Sequence, residues 1–327
     1  MGLDQRYVAG MAAAPSDPLL LSNDPSSPFH EVADHVRLAG AEAEGPARLL
    51  VEVPHGADRY AHYRALAERM VGSLPDQLEH FFFVNTDVGA WQLGVAVARS
   101  LVAADPSLTV ELVRCRIPRT FVDTNRVPGG GGEVDLRDGG MTPGLAPYID
   151  HPDDRRLLSR LHGAYLDAVQ GRLDAICGEG GYAFLPHTYG PVTMGIDRVD
   201  HHIVERLHWA LAPERADTWP LRPEVDLIHA DAEGTSYAPA GAIEALRRGY
   251  EALGIAIAEN ETYRMHPSTM GMVWSQRHPN QVLSLEVRRD RLVREWTPFA
   301  EMEVQEASVR HFGGPIAEAL RELLHLG

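Results

Sequence analysis

Cysteine is nearly absent: Cys115 and Cys177 are the only two in 327 residues. That is too few for a disulfide framework, and both are read as reduced core thiols of a cytoplasmic protein, with a single bridge left open. Basic residues are also scarce. Thirty Lys and Arg stand against 46 Asp and Glu, a net charge of -16, which argues against nucleic-acid or anionic-membrane partners. An acidic substrate would need a local group of arginines. No run of eighteen apolar residues occurs, and the start "MGLDQRYVAGMAAAPSDPLLL" lacks a basic segment followed by a continuous apolar one. Neither export nor membrane insertion is expected, and "MGLDQR" lacks the Ser or Thr of a myristoylation signal. A G-x-S-x-G elbow is missing, and neither cysteine has an obvious activating partner, so serine and cysteine nucleophiles are poorly supported. The glycines Gly129 to Gly132 fit no phosphate-binding motif.

What is present is an alternation. Residues 1 to about 27 are rich in Pro, Ser, Asp and Ala and read as a loosely held lead-in, followed by one domain over residues 28–327. Strand-like "RLLVEV" precedes helix-like "AHYRALAERMVG"; strand-like "HFFFVN" precedes "AWQLGVAVARSLVAA"; then comes "LTVELVRC". That rhythm predicts an α/β sheet with helices on its faces. "VPGGGGEVDLRDGG" reads as loop, either an active-site rim or plain surface. Helical periodicity returns in "DDRRLLSRLHGAYLDAVQGRLDAIC", and "YAFLPHTYG" repeats the order strand, proline, histidine. "GAIEALRRGYEALG" is a helix closed by Gly254, and "IAIAEN" and "QVLSLEVRRDRL" are strand-like.

Open α/β sheets bind ligands at the carboxyl ends of their strands, so His55 in "VEVPHGADRY" and His187 in "FLPHTYG" could share one crevice. Catalytic zinc usually takes three protein ligands and leaves one position for water; His55 and Asp58 could supply two from one H-x-x-D loop and His187 the third. The plain alternative is a hydrogen-bonded loop histidine in each case. Glu286 lies inside the apolar "VLSLEVRRD", where an ionised carboxylate is costly unless paired or functional. It is either a general base or a buried partner of an arginine such as Arg288 or Arg289. "RCRIPRTFVDTNR" brings together Arg114, Arg116, Arg119 and Arg126, suited to carboxylate recognition or oxyanion stabilisation, with about half expected to be ordinary surface residues. His201 and Glu205 in "VDHHIVERLH" offer another helical metal pair or a solvated face.

In this order "VEVPHGA", "NTDVGAWQLGVAVARSL", "RTFVDTNR", "FLPHTYG" and "LSLEVRRDRL", over about residues 46–300, resemble the N-formylglutamate amidohydrolase family. More distantly they resemble zinc carboxypeptidases and aspartoacylase-like deacylases. The resemblance implies a zinc carboxypeptidase-like hydrolase fold, a mixed central sheet with helices on both faces. It also implies a cytoplasmic zinc enzyme that cleaves the amide of a small N-acyl amino acid such as N-formylglutamate, with a place in histidine catabolism. It assigns His55, Asp58 and His187 to Zn2+, although Asp58 stands where the pattern has Glu; Asp87 is the substitute for this shorter arm. It also implies Glu286 as the base that activates water, Arg119 as the carbonyl-polarising residue, Asn125 and Arg126 as the carboxylate grip, and Tyr263 as a residue closing over the substrate. Two other readings stay open: a deacylase or carboxypeptidase acting on another N-acyl amino acid or peptide, and a non-catalytic carboxylate-binding relative, to which the departures at Asp58 and Thr188 are relevant.

Overall fold

Strands that are apolar on both faces must be covered on both faces, and Leu49–Val53 (β2) and Thr109–Cys115 (β3) are buried at every position. The computed structural model describes residues 25–129 and 142–325. Most of the expected lead-in, and Gly130 to Gly132 of the glycine quartet, lie outside the described residues. Ala33–Ala39 (β1), β2, β3, Tyr182–Tyr189 (β4), Val225–Leu227 (β5), Ile257–Glu259 (β6) and Val282–Arg288 (β7) form one mixed sheet in the order β1-β3-β2-β4-β7-β5-β6. The neighbours β3, β2, β4 and β7 run parallel; β1 joins β3, and β5 joins β7, antiparallel.

Helices cover both sides. Tyr60–Ala67 (α1), Leu78–Asn85 (α2), Pro152–Cys177 (α4), Ile203–Ala210 (α5) and Met270–Arg277 (α8) pack on one face. Ala90–Ala104 (α3), Ala242–Ala252 (α7) and Glu306–Leu323 (α9) pack on the other. The short Pro213–Ala216 (α6) follows α5. Among the described residues no helix is long and apolar enough to cross a membrane.

One expected strand is a helix. "HFFFVN" lies in α2, entered through Gln77 at φ 56, with Phe81, Phe82 and Phe83 buried. A short apolar run without alternation suits a buried helix as well as a buried strand, and only Val84 in it is β-branched. The edge strand β1 was not read from the sequence at all; its outer half is exposed.

The connections define where the chemistry sits. From β2 the chain passes through α3 to β3 on one side, then through α4 on the opposite face to β4 on the other side of β2. The carboxyl ends of the neighbouring parallel strands β2 and β4 lie side by side, the place where open α/β sheets bind ligands.

Candidate metal centre and active site

His55 follows β2 in a tight Pro-His-Gly-Ala-Asp turn pinned by two threonine hydroxyls. Thr124 donates to the Pro54 carbonyl at 2.8 Å and Thr86 to the Ala57 carbonyl at 2.9 Å. Glycine is required at position 56, because a Cβ there would stand 2.5 Å from Cγ of Arg114. His187 occupies the end of β4, where the backbone N–H of Thr188 donates to Asp87 at 3.3 Å and its hydroxyl to the Val88 carbonyl at 2.9 Å. Thr188 thus ties β4 to the corner between α2 and α3, and Asp87 lies in that corner.

The three side chains converge. His55 Nδ1 and His187 Nδ1 lie 3.1 Å and 3.0 Å from Asp87 Oδ2, and one donor atom of each residue falls within 4.8 Å of the other two. All three residues are buried. On its other side His55 Nε2 is 2.8 Å from Asp123 Oδ1. A neutral imidazole that donates from Nε2 to Asp123 turns a bare lone pair on Nδ1 toward a bare carboxylate oxygen of Asp87. Two acceptors at that separation require a proton or a cation between them. Burial alone would raise the Asp87 carboxyl, but the two histidines hold it well below the usual range. Two imidazoles and a carboxylate are a zinc-type donor set, and a carboxylate behind a ligating histidine is the usual means of fixing its tautomer, so the residues present fit a divalent metal.

Asp58 is not part of this group. Its carboxylate pairs with Arg114 at 2.6 Å, and Arg114 also donates to the Gly56 carbonyl at 2.9 Å. The H-x-x-D spacing brings Asp58 back onto its own turn, where it braces the backbone carrying His55.

Asp123 was missed in the sequence. Its Oδ1 also accepts the Asn125 N–H at 2.9 Å, while Oδ2 lies 2.8 Å from Arg119 and 3.5 Å from Arg126. Burial opposes its ionisation, but the two arginines and His55 hold it well below the usual carboxylate range. The available signal was an aspartate four residues after one arginine and three before another, directly after the apolar Phe121 and Val122.

The arginines sort by geometry. Arg116 turns outward to the His30 carbonyl and to Asp34. Arg119 bridges Asp123 and Asp87, at 2.8 Å and 3.6 Å, while its side chain stays 23% exposed and can meet a ligand. Arg126 is buried with one N–H of each guanidinium nitrogen engaged, Nε on the Thr142 carbonyl at 2.9 Å, Nη1 on the Asn125 carbonyl at 3.0 Å and Nη2 on the Thr142 hydroxyl at 3.3 Å. Asn125 directs its Oδ1 to the Gly271 N–H at 3.1 Å, at the start of α8. These partners orient the pair, and any carboxylate contact would fall to the Asn125 amide nitrogen and to the remaining guanidinium N–H groups of Arg126. Arg289, fully buried, donates to the carbonyls of Val84 and Thr188 at 2.9 Å and 3.1 Å and lies 4.0 Å from Asp87.

Glu286 of β7 is the register neighbour of His187 on β4 and of Asp226 on β5, so the three side chains line one face of the sheet. Its Oε2 is enclosed without a hydrogen-bond partner. Burial pushes the Glu286 carboxyl up to about 7, with His187 opposing the shift and Asp87 adding to it. Glu286 makes no ion pair within 4 Å among the described residues, so the arginine-partner reading has no support in this arrangement.

Tyr263 is 37% exposed on the loop before α8, its ring 6.5 Å from that of Tyr189. His201 and Glu205 do not come together: His201 precedes α5 and pairs with Asp150 at 3.1 Å, while Glu205 pairs with His202 at 3.1 Å. Cys115 and Cys177 are buried and free of a disulfide.

No family model and no curated protein matches the chain. Among solved structures it is similar to a gene product of Agrobacterium tumefaciens, at 16% identity over 89% of this chain and 94% of that one, with a TM-score of 0.48. It is also similar to an N-formylglutamate amidohydrolase from Ralstonia eutropha JMP134, at 16% identity over 89% and 98%, with a TM-score of 0.46. An aspartoacylase family protein from Mesorhizobium loti is similar at 14% identity over 92% of this chain and 69% of that one, with a TM-score of 0.32.

Proposed function

We propose that the chain is a metal-dependent hydrolase that cleaves the amide bond of a small N-acyl amino acid, N-formylglutamate being the example to which the sequence motifs point. The observation that carries this reading is the convergence of His55, Asp87 and His187, with one ligand atom of each within 4.8 Å of the others, His187 standing on the strand beside an enclosed and unpartnered Glu286 carboxylate oxygen. His55, Asp87 and His187 hold Zn2+, in place of the set with Asp58. A divalent metal there supplies Lewis acidity, which acidifies water and polarises a carbonyl.

The remaining work falls to the protein. Glu286, poised near neutrality by burial, takes the proton of the attacking water at Oε2 and delivers it to the leaving nitrogen, so the base is regenerated without a covalent intermediate. Arg119, held in place by Asp123, stabilises the charge that develops on the carbonyl oxygen. Asp123 fixes the tautomer of His55. Tyr263 covers the bound substrate from the exposed rim.

The test is metal analysis of the purified protein together with hydrolysis of a panel of N-formyl, N-acetyl and N-succinyl amino acids. The reading predicts near-stoichiometric zinc and turnover that is lost on chelation and restored by zinc. Protein that binds no divalent metal, or loaded protein that cleaves no member of the panel, overturns it.

A further inference from the structure

The arginines that touch the candidate site differ in how fully they are engaged. Arg119 and Arg126 are paired with Asp123, and Arg289 is enclosed beside Asp87 with two backbone carbonyls on its guanidinium. Arg222 is different. It is half-buried, and among the described residues no carboxylate lies within ion-pair distance of it. Its Nε donates to the Thr193 hydroxyl at 3.1 Å and its Nη1 reaches the Gly190 carbonyl at 3.4 Å, leaving Nη2 without a protein partner among the described residues.

Its place is fixed by the backbone. The Arg222 N–H donates to the Pro191 carbonyl at 2.9 Å, and its carbonyl accepts from Nη1 of Arg288 at 2.8 Å. The guanidinium carbon lies 5.2 Å from the ring centre of Tyr189 and 5.5 Å from that of Tyr263. Tyr189 follows His187 by two residues on β4 and so stands on the same face of the sheet, which puts Arg222 on the side where His187 and Glu286 point. Electrostatic coupling of Arg222 to Glu286, and of Tyr263 to Arg119 and Arg126, agrees with that placing. A fork seated against a pair of aromatic rings with an open edge suits a carboxylate, and a chain of net charge -16 needs such a local cation to hold an anionic ligand.

We propose that Arg222 is the residue that anchors a substrate carboxylate, with Tyr263 closing over the pair, and that Arg126 positions Asp123 instead of gripping substrate. The substrate class is then N-acyl amino acids with a free carboxylate, selected over their neutral amides. This rests on the hydrolase reading above for the position of the scissile bond, but the carboxylate site itself is testable without turnover.

Wild type, Arg222→Gln and Arg222→Lys are compared in zinc-loaded protein by calorimetric titration with glutarate, a dicarboxylate with no bond to cleave. Kinetics on N-formylglutamate and on its diamide run in parallel. Arg222→Gln should weaken glutarate binding by about 10- to 100-fold, as expected for losing a charged hydrogen-bond donor, and Lys should restore only part of it. KM for the free acid should rise correspondingly and the preference for the free acid over the diamide should shrink, with zinc content retained. Glutarate affinity that is equal in wild type and Arg222→Gln, or absent in wild type, overturns the proposal. If glutarate binding depends on Arg222 but no N-acyl amino acid is hydrolysed, the hydrolase reading fails and the anchor stands.

Discussion

Two glutamates, Glu52 in β2 and Glu286 in β7, occupy the same kind of sequence and reach different ends. Each interrupts an apolar strand, each has an enclosed Oε2 without a partner, and burial pushes each carboxyl up to about 7. Glu52 is fully enclosed, and its Oε1 accepts the hydroxyl of Tyr165 from α4. Glu286 instead lies one strand from His187, at the carboxyl ends where the crevice opens, and keeps some exposure. A raised carboxyl inside a strand is thus a signature of burial, and the neighbours decide whether it serves packing or chemistry.

The comparison is broken most directly by isosteric replacement. Glu286→Gln should lower kcat by about 10²- to 10⁴-fold or more, the range for loss of a general base, with zinc content retained and no fall in Tm. Glu52→Gln should leave kcat within about two-fold of wild type, on the scale where 0.4 kcal/mol is a factor of two. Measuring kcat, zinc and Tm on both proteins settles it; a fully active Glu286→Gln would assign Glu286 to the same structural role as Glu52.

Next in size are the two aspartates that competed for the metal. Asp87→Ala should abolish zinc retention, as should His187→Ala. Asp58→Ala should keep zinc but lose about 3 kcal/mol of stability, because Arg114 is left buried without its partner. Metal analysis and denaturant unfolding check both, and retained zinc in Asp87→Ala would return Asp58 to consideration.

A pH series sharpens the contrast further. The folded Glu52 carboxyl, at about 7, binds its proton more tightly than the unfolded one at its ordinary 4.5. Between these values the folded chain carries more protons, so stability falls as pH rises and the full loss is present above about 7. Glu52→Gln removes that dependence, so its stability relative to wild type should improve between pH 5 and pH 8 by on the order of 3 kcal/mol, from about 1.4 kcal/mol per pKa unit. A difference that stays flat over that range would show Glu52 to be ordinary in its titration. The smallest effect expected is that of Tyr165→Phe, about 1 kcal/mol at pH 5 from one lost buried hydrogen bond, with kcat unchanged.

Much of the site could be read along the chain because strand ends announce themselves. Apolar runs followed by Pro-His place His55 and His187 at carboxyl ends, and Glu286 is conspicuous among Leu and Val. Glu52 carries the same signal in "LLVEV", where the Pro-His pair that follows is the stronger mark of a site. Asp123 was hidden for a different reason: its neighbours along the chain suggest an Asn-Arg pair, whereas its importance comes from His55, 68 residues away. Asp87, the alternative ligand in the sequence, reads there as following a strand, whereas it follows helix α2.

By itself the sequence determined the elements with strong periodicity, the α/β alternation and the residues at strand ends, because hydrophobic spacing and chain-breaking residues act locally. The tertiary structure alone decided that Asp87 rather than Asp58 stands between the histidines, that Arg126 is buried among backbone partners while Arg222 keeps an open edge, and that one buried glutamate takes a tyrosine hydroxyl while the other stands in register with a histidine. Those outcomes depend on strand order and register, which bring together side chains far apart in the chain, and on burial, which makes each buried charge take the partner within reach.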